Sequence, residues 1–209
     1  MAEDLGFIHK YVPASNSESG EAIFIFHGTG GDEESLLPVA DFIMPGAAVV
    51  SPRGKVLENG MPRFFRRFAE GVFDLEDLRH RTEELAKFIE SAKAAYGLEG
   101  KKLAAAGYSN GANIAASILL TYPGIFSKAA LFHPMVPFVP ERLPDLSGTN
   151  VLITAGTNDP IVDPEGTREL ARLLRESGAH VELFWNDRGH SLTREELDAA
   201  RTFLSEANE

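Results

Sequence analysis

Short runs of consecutive apolar residues alternate along this chain with longer stretches whose apolar residues recur every three or four positions. The first pattern predicts strands over 7–12, 22–26, 47–51, 102–107, 129–132, 151–155 and 181–185. Several of these runs lack any polar alternation, as strands buried on both faces of a mostly parallel sheet require. The second pattern is clearest over 74–96, where Leu75, Leu78, Leu85, Ile89, Ala92 and Tyr96 fall on one helical face. Thr82 fills the gap in that stripe, and charged residues take the opposite side. Asp74 with Asp77, and Thr193 with Glu196, have the spacing of helix N-terminal caps, the second pair as a full capping box. Asp163 ahead of Pro164 reads as an N-cap with proline at the first helical position. Strand and helix in alternation predict an α/β fold, a mostly parallel central sheet with helices on both faces. In such sheets a ligand sits beyond the carboxyl ends of the strands.

Composition narrows what such a fold can do. The 209 residues are expected to form one domain, 1–209, with no linker, repeat or low-complexity tract. Twenty Lys and Arg against 31 Asp and Glu give a formal charge of −11, the wrong sign for a nucleic-acid footprint. No apolar run approaches the ~20 residues that span a bilayer. The opening residues, Met1-Ala2-Glu3-Asp4-Leu5-Gly6, lack the basic-then-apolar layout of a signal peptide. A soluble, cytoplasmic protein without stable membrane insertion is the expectation. Cysteine is absent, which removes disulfides, thiolate metal sites and a cysteine nucleophile together.

One pentapeptide carries chemistry. Gly107-Tyr108-Ser109-Asn110-Gly111 lies directly after the apolar run 102–107 and before a small-residue helix predicted over 112–122. G-x-S-x-G between strand and helix has the form of a nucleophile elbow, which presents the serine hydroxyl above the sheet. Glycines let the two backbones approach, and the helix turns its free N–H groups and positive dipole end toward the point where negative charge develops. A glycine-rich turn whose serine only caps the helix is the other reading of these five residues.

Three further segments bear on that choice. His27-Gly28-Thr29-Gly30-Gly31-Asp32 follows the second apolar run and leads into a helix predicted over 33–42. It has the place of the loop that supplies a second oxyanion donor, so the backbone N–H groups of Thr29 and Asn110 form the candidate oxyanion hole. A phosphate loop is the competing use, but the segment has neither G-x-G-x-x-G spacing nor a Walker lysine. His27 itself reads as a loop-packing residue. His190, in Asp187-Arg188-Gly189-His190-Ser191, is the candidate base, because imidazole titrates near neutrality and can take and return the serine proton. Asp159, in Gly156-Thr157-Asn158-Asp159-Pro160-Ile161-Val162, is the candidate acid that orients it. Asp163 is better used as a helix cap, and Asp187 is a poorer alternative on His190's own loop. His9, His80 and His180 read as surface residues, and His133, at a strand end, as a structural neighbour of the site. The order Ser109, Asp159, His190 along the chain is that of α/β hydrolases.

Through these segments and Gly189-His190, the sequence resembles the phospholipase/carboxylesterase family of α/β hydrolases, small lidless enzymes that include acyl-protein thioesterases and bacterial carboxylesterases. The resemblance runs over nearly the whole chain. It implies an α/β-hydrolase fold without a cap domain and a carboxylesterase-type serine hydrolase. The substrates implied are small-molecule carboxylic esters of small to medium acyl chains, with thioesters and lysophospholipids as alternatives. The reaction would pass through an acyl-enzyme and need no metal or cofactor. Pro52-Arg53-Gly54 and Gly60-Met61-Pro62-Arg63-Phe64-Phe65-Arg66-Arg67 look like a bacterial branch, some members of which are linked to quinone-stress operons. Thr29 and Asn110 stand where acyl-protein thioesterases commonly carry Leu and Gln. Dienelactone hydrolases, cousins in fold with a cysteine nucleophile, are set aside because this chain has no cysteine. A non-catalytic ligand-binding protein on the same scaffold is the alternative from a different class.

Residues 133–150, which separate the run 129–132 from the next, are too few for a cap, so a shallow cleft bounded by loops is expected. Met135, Val136 and Phe138 are candidates for one apolar wall, and Met61, Phe64 and Phe65 for another; both sets also suit ordinary loop packing. The segment 53–70 carries Arg53, Lys55, Arg63, Arg66 and Arg67 against Glu58 and Glu70. These cations would either bind an anionic substrate group or pair with the surplus carboxylates. The apolar loops are compatible with a homodimer.

Overall fold

The computed structural model describes residues 5–15 and 20–206, so residues 1–4 of the segment read for a signal peptide lie outside the described residues. In chain order the elements are β1 (His9–Val12), β2 (Glu21–Phe26), α1 (Leu37–Ile43), β3 (Ala48–Pro52), β4 (Val56–Glu58), β5 (Met61–Arg63), β6 (Arg67–Ala69), β7 (Val72–Phe73) and α2 (Leu75–Ala95). There follow β8 (Lys102–Tyr108), α3 (Asn110–Thr121), β9 (Lys128–Phe132), β10 (Asn150–Gly156), α4 (Pro164–Glu176), β11 (His180–Asn186) and α5 (Arg194–Ser205). Seven strands lie in one sheet in the order β1-β3-β2-β8-β9-β10-β11. All pair in parallel except β1, which runs antiparallel to β3 at the edge. Each of the seven coincides with an apolar run to within two residues.

Burial on both faces explains those runs. In β2, Ala22, Phe24 and Phe26 point to one side of the sheet and Ile23 and Ile25 to the other, as the two-residue strand period dictates. Helices α2, α3 and α4 cover the first side through Leu78, Phe88, Ile89, Ile118, Leu170 and Leu174. Helices α1 and α5 cover the second through Ala40, Ile43, Ala200, Phe203 and Leu204. Asp74 and Asp163 cap α2 and α4 by accepting from the Asp77 and Glu165 amides, and Thr193 and Glu196 form a complete capping box on α5. Residues 133–149 contain no helix or strand, so nothing caps the sheet there, and the architecture is the α/β-hydrolase fold. No helix among the described residues is long and apolar enough to cross a membrane.

Three local features differ from the pattern-based expectation. Helix α1 begins at Leu37, not residue 33, because Asp32 Oδ1 accepts from the Glu34 and Ser35 amides and holds that stretch as a turn. Segment 53–70, for which the pattern gives neither strand nor helix, carries two small hairpins, β4–β5 and β6–β7, the second running on to Phe73. Their strands of two or three residues are too short to show an alternation. His9, expected at the surface, is half-buried and lies within hydrogen-bond reach of the Tyr96 hydroxyl.

The sheet's register sets up the site. Tyr108, Phe132 and Thr154 are aligned across β8, β9 and β10, and Gly156 is aligned with Asn186 across β10 and β11. Ser109, His133, Asp159 and His190 follow these strand ends and so emerge along one rim.

Candidate active site

Ser109 stands between β8 and α3 with φ 53°, a left-handed backbone that few non-glycine residues adopt. Its amide donates to the Phe132 carbonyl at 2.9 Å, which ties the turn to β9. The tightness of the turn excludes side chains nearby: a Cβ on Gly111 would lie 2.0 Å from the Phe26 carbonyl oxygen. Ser109 occupies the N-cap position of α3, yet its side chain makes no capping bond. The hydroxyl instead faces His190, with Oγ 2.9 Å from Nε2.

His190 lies in the loop between β11 and α5, and Tyr108 braces that loop by donating its hydroxyl to the His190 carbonyl at 2.8 Å. The other ring nitrogen, Nδ1, donates to Asp159 Oδ2 at 2.7 Å. The Asp159 side chain is fully buried, and its Oδ1 accepts from the Ile161 and Val162 amides at 2.8 and 3.1 Å. Burial alone would raise the Asp159 carboxyl, but the bonds from His190 and the two amides outweigh it and hold the group below its ordinary range. Asp187 projects into solvent against Arg188, and Asp163 caps α4, so neither competes for His190.

His133 is also drawn in. It is fully buried, with Nδ1 3.1 Å from the same Asp159 oxygen and Nε2 2.9 Å from Glu196 Oε1. Glu196 has a cap spacing in the sequence, but nothing there signals that its carboxylate also reaches under the site. Ligand atoms of His133, Asp159 and His190 fall within 4.8 Å of one another, close enough to gather a cation. They are the same atoms that make the bonds just described.

On the opposite flank, His27 packs within its loop, donating Nδ1–H to the Gly28 carbonyl at 2.7 Å and accepting the Gly54 amide on Nε2 at 2.9 Å. Burial holds its pKa below the ordinary value. The Gly30 amide donates to the Pro62 carbonyl and the Gly31 amide to the Gly28 carbonyl, which fixes the loop around Thr29. The amide of Asn110 is the first of α3 and has no carbonyl one turn back within the helix. Asn110 Oδ1 accepts from the Phe64 amide, while Nδ2 is buried without a partner among the described residues.

The cleft between these flanks is lined by Thr29, Arg63, Ser109, Asn113, Met135 and Val162, with Arg67, Glu70 and Phe73 on its β6–β7 side, and has a volume of about 20 Å³. Of the six residues considered for apolar walls, Met135 lines it. Phe64 and Phe65 do not: both are core residues, Phe64 against Phe26 and His27 and Phe65 against Phe73. Val136 and Phe138 pack half-buried against the core, and Met61 lies exposed beside Gly30. The cations of segment 53–70 have carboxylate partners: Arg53 with Glu33, Lys55 with Glu84, Arg66 with Asp74, and both Arg63 and Arg67 with Glu58. Arg63 also donates to Thr29 Oγ1 at 3.0 Å, so it braces the glycine loop against the β4–β5 hairpin.

Comparison with known proteins adds three findings. The family model described as the dienelactone hydrolase family matches residues 11–208. MhqD of Bacillus subtilis (strain 168), which carries the provisional name of a hydrolase, is 48% identical over 189 residues, covering 90% of this chain and 94% of that protein. Among solved structures, the Bacillus cereus carboxylesterase superposes with a TM-score of 0.91 at 46% identity, over 94% of this chain and 92% of that one. A carboxylesterase from Mesorhizobium loti gives 0.88 at 34%, over 97% and 96%. The family match corrects the exclusion drawn from the missing cysteine. A serine hydroxyl takes the elbow position that a thiol would, and the scaffold that the match covers is unchanged by that exchange.

Proposed function

The chain belongs to the dienelactone hydrolase family, and from the line Ser109–His190–Asp159 we propose that it is a serine carboxylesterase, on the carboxylesterase side of this fold. Its hydrolase character is common ground with its relatives; the chemistry below is our reading of the site. Ser109 Oγ attacks the ester carbonyl while His190 Nε2 accepts its proton. Asp159 keeps the Nδ1–H tautomer in place and stabilises the imidazolium that forms. The Thr29 and Asn110 amides hold the oxyanion, each contributing about 2.7–4 kcal/mol to the transition state. His190 then returns the proton to the departing alcohol, and water, deprotonated by the same imidazole, releases the acid from the acyl-enzyme.

The observation that carries this reading is the 2.9 Å contact between Ser109 Oγ and His190 Nε2, made by a serine that leaves its helix uncapped. A merely capping serine would turn its oxygen back to the amides of α3. The cleft beside Ser109 leaves little space between Thr29, Met135 and Val162, which supports acetyl and similarly short acyl chains over long ones. The carboxylate pairing of Arg63 and Arg67 favours a neutral substrate at this end of the cleft.

A series of p-nitrophenyl acetate, butyrate and octanoate, with the acetyl thioester and a lysophospholipid alongside, tests this. The acetate should give the highest kcat/KM, and Ser109→Ala should lower turnover by about 10⁶-fold. An octanoate or lysophospholipid preference would refute the short-chain assignment, and retained turnover in Ser109→Ala would refute the serine mechanism.

A further inference from the structure

We infer that His133 is a positioning residue of this site, an imidazolium clamped between Glu196 and Asp159 that fixes the acid and, by its charge, extends the action of His190 as a base to lower pH. The inference rests on the serine-hydrolase reading for its kinetic consequence, but not for the state of His133 itself.

The hydrogen-bond inventory leads to the charge. Glu196 Oε1 accepts the Thr154 hydroxyl at 2.6 Å, and Oε2 accepts the Thr193 amide and hydroxyl, both at 2.8 Å. Asp159 Oδ1 accepts two amides. Carboxylates surrounded by donors are ionised, and both of these side chains are fully buried. His133 Nδ1 bonds Asp159 Oδ2 at 3.1 Å, and Nε2 lies 2.9 Å from Glu196 Oε1 as an ion-pair contact that is not aligned as a hydrogen bond. A neutral imidazole has a single N–H, so either tautomer would set a lone pair beside a buried carboxylate. Only the doubly protonated ring sets an N–H toward both. Burial acts to lower the His133 pKa, but the Glu196 and Asp159 carboxylates outweigh it and leave the group above its ordinary value.

The backbone holds the ring in this place. His133 has φ 52°, a left-handed conformation like that of Ser109, and its amide is anchored to the Thr154 carbonyl at 2.8 Å. Such backbones persist in non-glycine residues where the surroundings over-determine them. The other titratable groups around the ring are His190, with ring centroids 5.2 Å apart, and Tyr108, 6.0 Å away edge-on. The buried set Glu196–His133–Asp159 carries a net charge of −1, which becomes zero when His190 is protonated during turnover. Without the inner cation the set would be −2, and it would hold a proton on His190 more tightly.

The test compares His133→Gln with the unaltered protein. Glutamine keeps a donor near Asp159 and removes the charge. The acidic limb of kcat/KM against pH should move upward by about one unit, the size expected for a charge roughly 5 Å away at the edge of solvent. Long-range ¹H–¹⁵N spectra of the Ser109→Ala protein should show both His133 ring nitrogens protonated at pH 7. Glu196→Gln, which preserves the capping box, serves if His133→Gln does not fold: His133 should then lose its proton at lower pH in the same spectra, and the limb should not move upward, because the set is no more negative than −1. In His133→Gln an unmoved limb with kcat lowered equally at every pH, or in the Ser109→Ala protein a neutral His133 ring at pH 7, overturns the inference. These results separate it from the enzymatic reading, because a protein with no esterase activity and a doubly protonated His133 refutes the latter alone.

Discussion

Gly156 ends β10 directly beneath the loop that carries His190. A Cβ placed there would lie 2.2 Å from the Arg188 carbonyl oxygen and 2.5 Å from that of Gly189. Its φ lies outside the left-handed region, so alanine fits the backbone and the whole effect of Gly156→Ala is steric. Restoring ordinary contact requires the 188–189 carbonyls to retreat by about 1 Å. Arg188 is exposed, so the loop can yield, and the fold should survive with a loss of about 1–3 kcal/mol. His190 moves with its neighbour. A contact of 2.9 Å from Ser109 Oγ to Nε2 then opens to nearly 4 Å, beyond hydrogen-bond range. A misplacement of that size costs roughly 10²-fold in kcat, equivalent to about 2.7 kcal/mol in the barrier. Steady-state hydrolysis of p-nitrophenyl acetate, paired with thermal denaturation, reads both effects. Gly166→Ala is the control: it lies in α4 with nothing within 4 Å, so it should leave kcat alone and add up to ~1 kcal/mol of stability. Gly156→Ala with activity within about threefold of the unaltered protein, despite measurable destabilisation, would show that this contact does not set the position of the base.

Other consequences are equally direct. Asp159→Asn should lower kcat by about 10⁴-fold while leaving the cleft open, because the amide no longer fixes the Nδ1–H tautomer of His190; a loss below tenfold would remove Asp159 from the mechanism. Gly111→Ala should yield little folded protein, since backbone of β2 and not a side chain occupies the space at 2.0 Å; circular dichroism of the purified variant decides it. Stability should be greatest between pH 4.5 and 6.5, the ordinary values of Glu196 and His133. Asp159 and Glu196 are held below their usual values against the opposing effect of burial, so their contribution is present above those values and lost as pH falls through the lowered ones. His133 is raised, so its contribution is complete below 6.5 and lost as pH rises through its higher value. Tm measured from pH 3 to 9 should fall on both sides, and His133→Gln should lose the alkaline slope. Equal slopes above pH 6.5 in the two proteins would contradict this.

What could be read from the sequence depended on how local its cause was. The seven sheet strands were legible because burial on both faces leaves no polar residue to interrupt the run, and α2 because twenty-one residues give its stripe several turns to repeat. Ser109, Asp159 and His190 were legible because each sits in a turn whose glycines and chain order have a mechanical reason. Phe64 and Phe65 looked like a cleft wall because a pair of phenylalanines beside a glycine loop gives no sign of which way it faces. Its direction is set by β4–β5, a hairpin too short to leave a period and pinned by Arg63 to Glu58 and Thr29. Glu196 was visible as a cap three residues from Thr193. Its second contact, to His133 just past the end of β9 and far earlier in the chain, has no local signature.

Covalent trapping of the nucleophile addresses the central claim most directly. The protein would be treated with a fluorophosphonate, digested, and mapped by mass spectrometry. A single phosphonylated peptide containing Ser109 is predicted, absent in Ser109→Ala and formed far more slowly in His190→Ala. Labelling at another residue, or ester hydrolysis that persists in Ser109→Ala, would contradict it.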